Sequence, residues 1–327
     1  MKNRYFQFIR GILIFLVVLI HCMYENEIVK DNYINIVIRC CINFCVAAFI
    51  FLSGYFVNKE KVKENPKKYI VSRFKRLIIP LLMFSFIYTI IGVLKGNWNI
   101  KESILRFITF KSEAHLYYVV VLFQLVIITP LILKLLENKK IKILLYAITP
   151  IYLVVLGVLR IFGNIEIPFY QFWFCGWIIY YILGIENDKI KVKPNYGLAL
   201  VLLLISIIIN IYTYSNNLSL YPYVTSQLNV FNMFYVLGII PILIDRNSKY
   251  TSSKIGLLIE KIGDNSFGIY FIHLLVLKGL RIIFKLDYFN FGMYYLIMSV
   301  STLFISYILI KLFKNITKTK FDKYLGF

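Results

Sequence analysis

The chain is 327 residues long, 60% of them hydrophobic, with a mean hydropathy of +0.74 and a formal net charge of +21. Such hydropathy is far above what a water-facing surface carries, so a soluble globular domain is excluded and lipid is the principal solvent. In a soluble chain the positive charge would point to nucleic acid; here it sorts by loop, and its distribution matters more than its sum.

Apolar runs of the length a helix needs to cross a bilayer, roughly 20 residues, recur towards the end of the sequence. The first expected span, near 6–23, follows Lys2 and Arg4, contains Arg10 and reaches His21. No small-residue cleavage site follows it, so it reads as an uncleaved helix rather than a secretory signal. The second span, near 35–57, closes on Ile50-Phe51-Leu52-Ser53-Gly54-Tyr55-Phe56. A long connection holding Lys59, Lys61, Lys63, Lys67 and Lys68 leads to the third, near 76–94, whose mouth carries Arg73, Lys75 and Arg76 with Pro80 a turn inside. Residues 95–114 place Ile104, Leu105, Phe107 and Ile108 in the pattern of a short interfacial helix. Further spans are expected near 116–136, 142–161, 169–185, 197–213, 228–245, 265–284 and 292–312. The expected fold is therefore an all-α, polytopic membrane bundle of about ten transmembrane helices, a single membrane-embedded domain over residues 1–327 with no separate soluble domain.

Alternate connections differ sharply in charge. One set holds the lysines and arginines of 59–76, Lys139, Lys140 and Lys142, Lys189, Lys191 and Lys193, and the basic residues of 246–261 and 314–323, while 214–227 holds none. By the positive-inside rule the basic side is cytoplasmic, and an even span count then puts both termini there. Enrichment in Ile, Asn, Lys and Tyr fits an AT-rich bacterial genome, so the expected location is the bacterial cytoplasmic membrane, multi-pass, with N- and C-termini cytoplasmic.

A charged side chain in a spanning helix costs roughly 2.5 to 3.5 kcal/mol for a central Arg, so each one is a functional candidate. Arg10 and His21 are eleven residues apart, nearly three turns, which places them on one face about 16 Å apart along the axis. Arg10 also suits snorkelling to the headgroups, and His21 a structural hydrogen bond. Arg73 and Arg76, at i and i+3, form a pair that grips phosphate, or else belong to a plain positive-inside cluster. Glu25 falls one turn after His21 on the same face, where it can orient that ring. Cys22, Cys40, Cys41, Cys45 and Cys175 show no metal-ligand spacing and read as small lipid-phase or core residues. Trp173, Trp177, Tyr180 and Tyr181 fit interfacial belts better than a sugar platform.

In order along the chain, these residues resemble the membrane acyltransferase 3 family of bacterial and animal acyl transferases. Arg10 and His21 match its first-span Arg and His; Ile50 to Phe56 are similar to its Phe-x-x-Ser-Gly-Tyr/Phe element; Arg73, Arg76 and Pro80 match its Arg-x-x-Arg-x-x-x-Pro-like element. His115-Leu116-Tyr117-Tyr118 is similar to its His-Leu-Trp-Tyr/Phe element, with Tyr117 replacing the usual Trp, and Ser266 to His273 is similar to its late Ser-x-x-Ile-Tyr-x-x-His. The resemblance implies transfer of an acyl group, usually acetyl, from acyl-coenzyme A to a hydroxyl of a cell-surface polysaccharide or its lipid-linked precursor. It implies donor binding by Arg73 and Arg76, a catalytic pair in His21 and Arg10, an acceptor-side contact at His115, and no permanently bound cofactor or metal. Other expected partners are the bilayer, the carbohydrate acceptor and further polysaccharide-assembly proteins, and no nucleic acid is expected. A lipid-linked sugar transporter or flippase, and a non-catalytic polysaccharide-assembly subunit, remain open as alternatives.

Overall fold

The structure, a computed structural model, describes residues 4–24, 32–188, 193–245, 253–284 and 291–317. Among the described residues there are helices and no strands: α1 (Arg4–Tyr24), α2 (Asn32–Ile42), α3 (Phe44–Tyr55), α4 (Lys59–Glu64), α5 (Pro66–Leu94), α6 (Ile100–Ile108), α7 (Tyr117–Leu135), α8 (Lys139–Ile161), α9 (Ile178–Ile185), α10 (Tyr196–Asn216), α11 (Tyr221–Val224), α12 (Val230–Leu243), α13 (Lys254–Asp264), α14 (Ser266–Ile283) and α15 (Phe291–Ile316). Among the described residues eight stretches, with α2 and α3 taken together, are long and apolar enough to cross a membrane. This is a multi-pass, all-α bundle.

Asparagine sets where many helices begin. Asn58, Asn65, Asn99, Asn138, Asn195 and Asn229 each accept a backbone N–H from the first turn of the helix that follows, as Ser253 does for α13. Such caps satisfy donors that a helix start leaves open. Asn65, with Pro66 at the first helical position, starts α5 ten residues before the expected 76. Arg73 and Arg76 therefore sit two to three turns inside a continuous helix rather than at its mouth. Residues 254–264, expected as a connection, fold into α13, which packs along α1 and is tied to it by the Arg4–Glu260 ion pair at 3.0 Å. The short helix expected within 95–114 is α6, with Ile100, Ile104, Leu105 and Ile108 exposed on one side.

The expected span at 169–185 is the one that breaks. Phe169 takes a left-handed backbone (φ 61°), short 3₁₀ turns follow at Tyr170–Phe172 and Phe174–Gly176, and regular helix resumes only at Ile178. Side chains from neighbouring helices satisfy the loosened backbone: Gln124 donates to the Phe172 carbonyl (2.9 Å) and accepts from the Phe174 N–H (3.0 Å). Thr149 donates to the Cys175 carbonyl (2.8 Å) and accepts from the Ile179 N–H (3.2 Å). Irregular backbone at membrane depth is tolerated where protein supplies such partners.

The α3–α9 crossing rests on two glycines. A Cβ on Gly54 of α3 would stand 2.1 Å from the Tyr181 carbonyl oxygen, and one on Gly184 of α9 would stand 2.1 Å from the Phe51 carbonyl oxygen. The same contact seats Ser53 and Tyr181 at one cavity, so fold and site share it. Gly54→Ala is expected to destabilise the protein by about 3 kcal/mol, the upper range for overpacking, because backbone rather than a movable side chain blocks the methyl. Thermal unfolding in detergent checks this: a midpoint lowered by several degrees is expected, and an unchanged midpoint contradicts the packing described.

Candidate active site

Helix α1 packs against α3, α13, α14 and α15 and presents Arg10 and His21 to two cavities, one towards each end. The smaller cavity, about 160 Å³, is lined by Arg10 of α1, Ser53 and Phe56 near the end of α3, Tyr69, Arg73 and Arg76 of α5, and Ser266 of α14. The Arg10 guanidinium lies over the Phe56 ring at 5.1 Å and that of Arg73 over the Tyr69 ring at 5.7 Å. Among the described residues none of the three arginines forms an ion pair, whereas Arg4, Lys63 and Lys142 all do. Three guanidinium groups facing one cavity without a carboxylate are suited to a polyanion.

The larger cavity, about 540 Å³, is lined by His21 of α1, Arg39 of α2, His115 ahead of α7, Tyr117, Trp177, and Thr225 to Leu228 before α12. His21, His115 and His273 come from three separate elements and form one cluster. Their ring centroids lie 5.1 Å apart for His21 and His273, 5.1 Å for His115 and His273, and 6.1 Å for His21 and His115. Tyr270 donates its hydroxyl to the His115 carbonyl, its ring 5.0 Å from the His115 ring. Both nitrogens of His115 and Nε2 of His273 are buried without a hydrogen-bond partner. Buried polar atoms of this kind signal a ligand or solvent that completes the site. Among the described residues no group of three or more His, Cys, Asp or Glu side chains is arranged to hold a metal ion.

The two cavities share a wall. Phe49, Tyr118 and Tyr270 line both, with Tyr118 5.4 Å from Tyr270 and 6.4 Å from Phe49 between ring centroids. The wall thus separates Arg10, Arg73 and Arg76 on one side from His21 and His115 on the other.

Arg10, Arg73 and Arg76 meet at the smaller cavity, and His21 and His115 at the larger one. Glu25 lies outside the described residues. Arg39 is the principal residue that the sequence reading passed over, although the rule that singled out Arg10 applies equally to a charge inside the second span. Its guanidinium donates to the Thr225 carbonyl (2.9 and 3.2 Å), joined by Asn43 (3.1 Å). Behind it Asn229, Asn210, Ser206 and Asn232 form a buried hydrogen-bonded chain that returns to the Ser226 carbonyl. That network fixes the loop whose Gln227 accepts the Tyr117 hydroxyl at 2.6 Å. The interfacial-belt reading of the aromatic residues is corrected for three of the four: Trp177, Tyr180 and Tyr181 are almost fully buried, because the broken segment folds them inward, and only Trp173 is exposed.

A family model described as an acyltransferase domain matches residues 3–311. The chain belongs to the acyltransferase 3 family. No curated protein and no solved structure matches it. In this acyltransferase 3 member the motif residues now have positions. Gly54 makes the α3–α9 crossing while Ser53 donates to the Phe49 carbonyl (2.9 Å) and lines the arginine cavity. Tyr117, standing where the family has Trp, stacks on Trp177 at 6.0 Å with 26° between the planes. Ser266 and His273, at opposite parts of one motif, lie at the arginine cavity and in the histidine cluster respectively.

Proposed function

We propose that the protein is an O-acyltransferase of the bacterial cytoplasmic membrane that moves an acyl group, acetyl in the simplest case, from acyl-coenzyme A to a hydroxyl of a cell-surface carbohydrate or its lipid-linked precursor. The observation that carries this reading is the arrangement of two cavities, one with three arginines and one with the histidines, on either side of a wall of three side chains. Arg10, Arg73 and Arg76 hold the phosphates of coenzyme A at the basic, cytoplasmic side, with both termini on that side. The acyl-pantetheine arm runs along α1 towards His21, about 16 Å further along the axis. The acceptor sits in the larger cavity against Trp177, Tyr117 and His115.

The thioester is already activated, so the protein supplies a base and a place for developing charge. His21 takes the proton of the acceptor hydroxyl as its oxygen bonds to the thioester carbonyl carbon. The tetrahedral intermediate collapses with cleavage of the C–S bond, and the coenzyme A thiolate leaves and recovers the proton from His21. A covalent acyl-histidine relay uses the same groups and differs in leaving label on the protein.

The test is consumption of acetyl-coenzyme A by the purified chain in liposomes, followed as free thiol. Turnover that saturates with donor is the expected outcome; folded protein that neither binds nor consumes acyl-coenzyme A contradicts the reading. The shared wall adds a specificity prediction. Phe49→Ala removes a ring from the wall and is expected to raise turnover of longer acyl donors relative to acetyl by about tenfold, the scale on which a pocket discriminates methylene groups. An unchanged acyl-length profile would show that the thioester does not meet this wall.

A further inference from the structure

The three histidines are not equivalent. His21 and His115 line the larger cavity, whereas His273 is fully buried behind them on α14, its ring 5.1 Å from each. Its Nδ1 lies 2.7 Å from the Tyr270 carbonyl oxygen and 3.1 Å from that of Ile269. A carbonyl carries no proton, so these contacts are hydrogen bonds only if Nδ1 is the donor. In a neutral imidazole Nε2 then holds the lone pair. That Nε2 is buried and has no partner, a state that is costly until a donor reaches it. The polar groups nearby are already engaged: Tyr88 donates to the Phe271 carbonyl, Tyr270 to the His115 carbonyl, and Lys278 is paired with Glu113. Arg281 donates to the backbone carbonyls of His21 and Cys22. The imidazoles of His21 and His115 stand next to His273, each ring centroid 5.1 Å from its own.

We propose that His273 is a positioning residue for His21, an inference that rests on the acyltransferase reading above. With ring centroids 5.1 Å apart, a small rotation of the His21 ring brings one of its nitrogens to hydrogen-bonding distance, about 3 Å, from His273 Nε2. His273 then accepts the N–H of one nitrogen of His21 and leaves the other, on the cavity side, unprotonated to receive the acceptor's proton. The same bond stabilises the imidazolium that His21 becomes. This is the task of the third member of a Ser-His-Asp triad, performed by a neutral acceptor where an isolated carboxylate would be expensive in lipid.

Two substitutions separate this role from packing. His273→Asn retains an N–H donor for the Ile269 and Tyr270 carbonyls but offers nothing at the position of Nε2; His273→Gln reaches that position with a carbonyl oxygen. With the full chain in liposomes, acetyl-coenzyme A as donor and water as acceptor, the Asn variant is expected to lower kcat by about 10²- to 10⁴-fold. KM for acetyl-coenzyme A should change less than about threefold, since His273 does not line the arginine cavity, and the Gln variant should recover at least about tenfold of the lost kcat. An Asn variant within threefold of wild type, equal losses in both variants, or a KM that rises in step with the loss overturns the proposal. The chain has three histidines, so ¹⁵N-histidine spectra of the wild type provide a measurement independent of variant folding. His273 is expected as the Nδ1–H tautomer with an Nε2 signal that His21→Ala shifts; an Nε2–H tautomer, or no shift, overturns it. Wild-type protein inert towards acetyl-coenzyme A would instead count against the acyltransferase reading, while the tautomer result stands apart from it.

Discussion

Replacing His21 by alanine is expected to lower acyl transfer by about 10²- to 10⁴-fold, the contribution typical of a positioned general base. His21 is the partly exposed member of the cluster, lines the larger cavity, and stands on the same helix as Arg10 of the smaller cavity. The substitution removes a side chain that faces a cavity, so the fold should survive it and donor binding should persist. Thiol release from acetyl-coenzyme A under saturating donor is the measurement. Activity within about threefold of wild type, in protein that still binds donor, would remove His21 from the chemistry.

The second large effect is expected from Arg73→Ala/Arg76→Ala. Hydrogen bonds to charged groups contribute about 1.5 to 3 kcal/mol each, so loss of both should raise KM for acyl-coenzyme A by at least about a hundredfold and leave kcat comparatively spared. Neither arginine has a carboxylate partner among the described residues, so their removal leaves no buried acid uncompensated. A simple acetyl thioester without nucleotide phosphates is the control: its turnover should be insensitive to the double substitution. Arg73→Lys/Arg76→Lys should recover only part of the affinity, because an ammonium keeps the charge and lacks the bidentate fork. Equal losses with both donors would mean that the arginines shape the protein rather than hold phosphate.

How much of this was legible in the sequence follows from the range of the interactions involved. Helix positions are set by local hydropathy, and Asn65-Pro66 is a readable start signal that an apolar-run criterion ignores because the first turns of α5 are basic. The break at 169–177 was hidden, since what makes it possible is Gln124 and Thr149 on other helices. Arg10, His21, Arg73 and Arg76 stood out as charges in or beside apolar runs. The same rule applies to Arg39, which the cysteines and isoleucines around it obscured. The convergence of His21, His115 and His273 depends on how α1, α7 and α14 pack, and no spacing along the chain encodes that. The wall of Phe49, Tyr118 and Tyr270 is likewise tertiary, with each residue unremarkable where it stands in the sequence.

Tracing the acyl group itself decides between transfer and transport. Membranes containing the chain are supplied with acetyl-coenzyme A radiolabelled in the acetyl group and with the host's envelope glycans, and the label is traced. Ester-linked label on carbohydrate, formed by wild type and lost in His21→Ala, is the predicted result. Unaltered acetyl-coenzyme A together with movement of a lipid-linked sugar across the membrane would contradict it and make the two cavities a transport path.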